Sequence, residues 1–221
     1  MKRLLILFSV FVVLMGLSGV AHAYNINYLY IADGNNFTSP YYATVEDFNG
    51  PLAWTWTGSY AVVNGSVANK YSAPGGIDGV NKDTTDYVTV PGPTTGGNGS
   101  VTVTNLGGMY NYFGLWWGSM DTYNTFSFYL NGVLTESFTG ADVAVGNADG
   151  NQIAPATNHY VNFLNLMPFN SFSMSSTQFA FEADNIAVGY NPPPHVPEPA
   201  TMLLLGLGLI GLAGVRRNLK N

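Results

Sequence analysis

Two alternating runs flank an Asn-Gly pair in the middle of this chain, and they limit what it can fold into. Phe126-Ser127-Phe128-Tyr129-Leu130 leads into Asn131-Gly132, and Val133 to Phe138 leads out. Both turn residues tolerate the positive φ of a type I′ turn, so the spacing predicts a tight antiparallel hairpin. The same habit extends along the chain. Val101 and Val103 alternate with Thr102 and Thr104, and Tyr110 to Trp117 is strongly aromatic. Tyr24 to Ile31, Ala43 to Phe48, Ala53 to Thr57, Tyr87 to Val90, Tyr160 to Phe163, Phe169 to Met174 and Phe179 to Val188 read as further strands. Asp33 to Asn36 reads as a turn, and Asn64 to Asn98, rich in Gly, Asn, Ser and Pro, reads mostly as long surface loops. No stretch of this body sustains a helical period. The expectation is an all-β fold, an antiparallel β-sandwich of jelly-roll type.

Two segments of another kind bracket that body. Met1-Lys2-Arg3, an apolar core from Leu4 to Leu17 and the small-x-small site Ala21-His22-Ala23 form a secretory signal peptide, cut after Ala23. At the other end, Val196-Pro197-Glu198-Pro199 precedes an uncharged run from Ala200 to Val215 and then Arg216-Arg217. As a helix these sixteen residues reach roughly 24 Å, slightly short for a permanent membrane span. The arginines after it hold that end on the cytoplasmic side, which puts the rest of the chain outside. The organisation read from the sequence is a signal peptide at 1–23, a β-sandwich domain at 24–191, a Pro-rich stalk at 192–199, and a C-terminal transmembrane helix with a basic end at 200–221.

Pro197-Glu198-Pro199, an apolar helix and an Arg pair, in that order, resemble the PEP-CTERM sorting signal of Gram-negative bacteria. The resemblance implies handling by an exosortase-type processing enzyme, cleavage near Pro197, and transient anchoring in the inner membrane before delivery to the cell surface or beyond. Val196, Pro197, Glu198, Pro199, Arg216 and Arg217 would then carry the sorting signal. Proteins with this tail typically come from organisms that make exopolysaccharide or biofilm. The body between about residues 100 and 190 is also similar to a group of exosortase-dependent, lectin-like surface proteins. That likeness rests on Tyr112 to Ser119, the hairpin through Gly140, Tyr160 to Phe163 and the closing Phe179 to Ile186. Similar tails carry an ice-binding label, but Thr102 and Thr104 begin no regular Thr-x-Thr repeat.

Charge narrows the partners. Of seven Lys and Arg only Lys70 and Lys82 lie in the body, against twelve of thirteen Asp and Glu, which leaves a net charge of about −10. Such a surface repels phosphate backbones, so nucleic acid is excluded as a partner. The chain has no cysteine, which removes disulfides and thiol chemistry.

Reactive constellations are sparse. His159 is the one internal histidine of the body, too little for a nucleophilic triad, and reads as a surface or strand-edge residue. Glu46, Asp47, Asp121, Glu136, Glu182 and Asp184 are candidate acids for sugar hydrolysis, but the spacing selects no pair and most are expected to be solvated. Calcium is a possible cofactor at Asn147, Asp149 and Asn151, where oxygen-bearing side chains alternate beside Gly150. Asp78, Asn81 and Asp83 form a second such group. The competing reading for both is turn residues that bond their own backbone. Trp54, Trp56, Trp116 and Trp117 are candidate glycan platforms. Alternation sends one of Trp116 and Trp117 inward and the other out, so an exposed tryptophan is expected. The expected function is a non-catalytic exported surface or extracellular-matrix protein in contact with extracellular polysaccharide. The alternatives are a calcium-dependent carbohydrate-binding module and, third, a glycoside-active enzyme.

Overall fold

Strands with a large apolar residue at every second position must hide one face, and here two sheets hide theirs against each other. The structure, a computed structural model, describes residues 25–29, 44–76 and 80–190. The signal segment with Ala21 and Ala23, the turn at Asp33 to Asn36, Asp78, the stalk and the tail from Val196 to Arg217 lie outside the described residues. Within them run β1 (Asn25–Leu29), β2 (Thr44–Glu46), β3 (Thr55–Gly58), β4 (Ala61–Val63), β5 (Tyr87–Val90), β6 (Gly99–Thr104), β7 (Tyr112–Gly118), β8 (Asn124–Leu130), β9 (Val133–Thr139), the one-turn helix α1 (Gly140–Val143), β10 (His159–Leu164), β11 (Ser171–Ser176) and β12 (Phe181–Gly189).

The first sheet has the order β1-β10-β7-β12-β5-β4, with β2 also paired to β12, and the second has the order β3-β6-β11-β8-β9; every pairing is antiparallel. Strands β5, β12, β7 and β10 in one sheet and β6, β11, β8 and β9 in the other give the double Greek key of a jelly roll. The hairpin turns where the sequence places it. Leu130 pairs with Val133, and Asn131 and Gly132 take φ of 52° and 80°.

The core between the sheets is aromatic. Phe113 sits at its centre, its ring 4.9 to 6.3 Å from those of Phe126, Phe128, Phe163, Phe169 and Phe172, mostly edge to face. Trp117 stacks on Phe181 at 4.6 Å. Along β12, Phe181 and Ala183 enter this core, so Glu182 and Asp184 point to the opposite face of the sheet.

That outer face is where the structure departs from the sequence reading. Tyr87, Thr89, Tyr112, Trp116, Tyr160, Asn162, Glu182 and Asp184 lie on it, and all are buried. The segment expected to be surface loop is itself partly interior, with Ser72 to Gly76 and Asp83 buried. It lies on the sheet at several points. The Ser72 N–H donates to Glu182, the Tyr71 ring meets Tyr87 at 6.4 Å, and the Gly75 N–H donates to Asn158 Oδ1. A β-carbon on Gly118 would come within 2.8 Å of Pro74 Cα. Glycine and proline correctly announce irregular backbone here, but an irregular segment can still serve as a lid if its N–H groups find buried acceptors.

Candidate functional site

The second sheet presents hydroxyls to solvent. Its strands alternate apolar core residues with Ser and Thr, and the antiparallel register aligns these into rows. Thr57, Thr102, Ser173, Ser127 and Ser137 are successive partners across all five strands. A second row runs through Ser100, Ser175, Thr125 and Thr139. None of these side chains is buried. Neighbouring strands lie roughly 4.8 Å apart, and same-face residues on one strand are separated by about 6.8 Å, so the rows form a lattice of neutral hydroxyls, touched by charge only where Thr139 Oγ1 donates to Asp142 at 2.7 Å. Some hydroxyls bond to each other, as at Ser127 to Ser137 (2.9 Å) and Tyr129 to Ser173 (3.2 Å). Beside the rows, Thr102, Thr104, Asn105, Tyr129, Asn170 and Ser171 line a shallow groove of about 550 Å³.

A second, acidic cleft of about 420 Å³ takes lining residues from the β7–β8 turn, the β11–β12 turn and the segment before β5, among them Lys70, Ser119, Asp121, Tyr123, Phe179 and Glu182. Glu182 forms part of its lining. Its Oε1 accepts from the Ser72 N–H (2.9 Å) and its Oε2 from Ser119 Oγ (2.7 Å). Burial pushes its carboxyl up to about 7, against the pull of those two donors and with a smaller push from Asp121. Burial raises Asp121 as well, opposed by a hydrogen bond from Tyr123 and reinforced by Asp149. Lys82 Nζ donates to Ser72 Oγ at 2.5 Å, and burial lowers its pKa, partly offset by Glu182. Lys70 Nζ sits 4.1 Å from the centre of the Phe179 ring.

The residues singled out from the sequence fall elsewhere. Trp117 is inward and Trp116 outward, as alternation requires, but Trp116 is only 1% exposed. Trp54 and Trp56 pack against Phe172 at 6.0 and 6.1 Å. With all four tryptophans buried, none offers a ring to a sugar, and the expected exposed platform is corrected. Asn147, Asp149 and Asn151 serve their own loop. Asn147 Nδ2 donates to the Val145 carbonyl, Asp149 Oδ1 accepts from the Asn151 N–H, and Asn151 Oδ1 accepts from the N–H groups of Ile153 and Ala154. This is the turn chemistry that competed with calcium there. Of the six candidate acids, most of them expected to be solvated, Glu46, Asp121, Glu182 and Asp184 are buried. His159 is not at an edge but on β10, between β1 and β7, buried, with Nδ1 2.9 Å from the Pro155 carbonyl. Among the described residues no helix is long and apolar enough to cross a membrane.

The hydroxyl rows were within reach of sequence reasoning only through register. Thr55-Trp56-Thr57, Ser173-Met174-Ser175 and Thr125-Phe126-Ser127 repeat the polar-apolar-polar habit of Thr102 to Thr104, but nothing in one strand tells which row of another it will join.

Residues 195–217 match the sequence model of the PEP-CTERM protein-sorting motif. The motif implies sorting toward the cell surface by an exosortase-type enzyme. Neither the curated proteins nor the solved structures contain a match to this chain.

Proposed function

We propose that this chain is an exported, non-catalytic protein of the cell surface or extracellular matrix, and that its five-stranded sheet lies against neutral exopolysaccharide. The observation that carries the reading is the uncharged hydroxyl row from Thr57 to Ser137, on a molecule whose sorting motif directs it outward. Sugar hydroxyls exchange hydrogen bonds with Ser, Thr, Tyr and Asn without loss of charge solvation. Each such bond nets only about 0.5–1.5 kcal/mol, so one sugar unit binds weakly. A polymer that touches many units and many copies of the protein binds through effective concentration instead. The acidic cleft is given no reaction in this reading.

The test is co-sedimentation of the purified full chain with insoluble neutral polysaccharide from an exosortase-bearing host. Thr57→Glu with Thr102→Glu, two exposed positions on neighbouring strands, is expected to weaken retention at least tenfold, while Asp149→Asn leaves it unchanged. Equal retention of the double variant and the parent overturns the assignment of the face.

A further inference from the structure

Asp83 and Asp184 face each other beneath the segment that covers the first sheet, and three of their four carboxyl oxygens are left outside any close hydrogen bond. Asp184 is 1% exposed and Asp83 7%. Asp83 Oδ1 accepts from the Thr85 N–H (2.8 Å) and from Thr85 Oγ1 (2.6 Å). That leaves Asp83 Oδ2 and both oxygens of Asp184 buried outside any close hydrogen bond; the Asn185 backbone N–H pulls weakly on Asp184, and the Asp83 carboxyl stands beside it. A buried carboxylate without a donor is costly, and two facing each other add repulsion. A third carboxylate, Asp47 just after β2, adds its negative charge nearby. Three such oxygens from two chain segments thus lie in the interior, and among the described residues no Lys or Arg offsets the charge at Asp184.

We infer that Asp83 and Asp184 hold a divalent cation, calcium by the chemistry of the donors, which pins the segment before β5 onto β12. Every unsatisfied atom of the pair is a carboxylate oxygen, the donor that calcium prefers, and neither sulfur nor imidazole is offered. Among the described residues no three His, Cys, Asp or Glu side chains group around one point. The remaining ligands are therefore backbone carbonyls and water, which calcium accepts within its six to eight oxygens at about 2.3–2.6 Å. The site is distinct from the loop of Asn147 to Asn151, whose oxygens already bond their own backbone. A proton shared between the two acids is the competing way to relieve the pair, and it predicts indifference to calcium.

Trp116 supplies the readout, because it is the direct cross-strand partner of Asp184 on the same face of the sheet and can transfer excitation to a terbium ion in a calcium site. The full chain is purified in mild detergent, stripped with chelator, and titrated with terbium under tryptophan excitation. Sensitised terbium emission is expected, displaced by calcium, lost in Asp184→Asn and in Asp83→Asn, and retained in Asp149→Asn. Melting of the unmodified chain provides a measurement that needs no variant: calcium is expected to raise the midpoint by several degrees and chelator to reverse it. A calcium-indifferent midpoint with no terbium emission overturns the inference in favour of the shared proton. Emission lost in Asp149→Asn but kept in Asp184→Asn overturns it in favour of the other loop.

Discussion

Glu182 sets the direction in which pH acts on this protein. Its carboxyl titrates at about 7 in the fold against an ordinary value of 4.5, so the fold favours the protonated form. The stabilisation is fully present below about 4.5 and is lost as pH rises through about 7. By linkage, that difference amounts to about 3 kcal/mol. In calcium-free buffer, the urea midpoint is expected to fall between pH 4.5 and pH 8, and Glu182→Gln to reduce that slope without abolishing it, since burial and Asp83 push Asp184 up as well, to about 10; a parallel slope in the variant would refute the assignment. Gly114 provides a second test at this scale. A β-carbon there would overlap the hydroxyl oxygens of Tyr112 and Tyr160, which lean over it from either side. Gly114→Ala is expected to cost about 1–3 kcal/mol by overpacking, whereas Gly50→Ala, with nothing within 4 Å of the new carbon, has little effect in the same denaturation series. Single residues were the least legible level of the sequence. Alternation assigned Trp117 and Trp116 to opposite faces correctly, but exposure depends on what lies above a face. For Glu182 that cover is Ser72, 110 positions away in the chain, and no local pattern encodes such a distance.

Elements were easier to read, because a strand declares itself within a few residues. The hairpin at Asn131-Gly132 needed only its turn chemistry and two alternating runs. Its test is equally local. Gly132 holds φ at 80°, so Gly132→Val is expected to lower stability by about 1–2 kcal/mol, read from the shift in urea midpoint without a change in slope. The segment before β5 was misread for the complementary reason. Its glycines and prolines do prevent long strands, and its described residues form only isolated bridges at Val67 to Tyr71 and Gly75 to Lys82. Regularity and burial are separate properties, however, and composition reports mainly the first. The Asn147 to Asn151 loop shows the same limit from the other side: a liganding pattern and a self-bonded turn use the same residue types at the same spacing, and only the direction of each oxygen separates them.

For the whole molecule, class and address were both written in the sequence. Period-two patterning with no helical stretch required a sandwich, and the sandwich is a jelly roll. The address is the motif at 195–217, and it carries its own prediction. Arg216→Ser with Arg217→Ser, or Pro197→Ala with Pro199→Ala, is expected to leave the uncleaved precursor in the inner-membrane fraction on immunoblots, while the unaltered chain appears as a shorter surface form. Charge gives another. The body carries about −10, but the hydroxyl rows hold no ionisable group, so retention on neutral polysaccharide is expected to persist across ionic strength; a steep fall with salt would show that charged contacts carry the binding instead.

The position of β12 has a mechanical consequence. It is the last strand among the described residues, ending at Gly189, and the Pro-rich stalk begins three residues later at Pro192. While the tail is held in a membrane or fixed to the envelope, any drag on the exposed body enters through this strand. β12 is not at an edge: β7 is hydrogen-bonded along one side and β5 and β2 along the other. Tension along it loads those ladders in shear, with many bonds resisting together rather than opening one after another. A tether attached to an outer strand such as β4 would peel the sheet apart. Attached here, the domain grips its own leash at the centre of the sheet, where the carboxyls of Asp184 and Glu182 also lie.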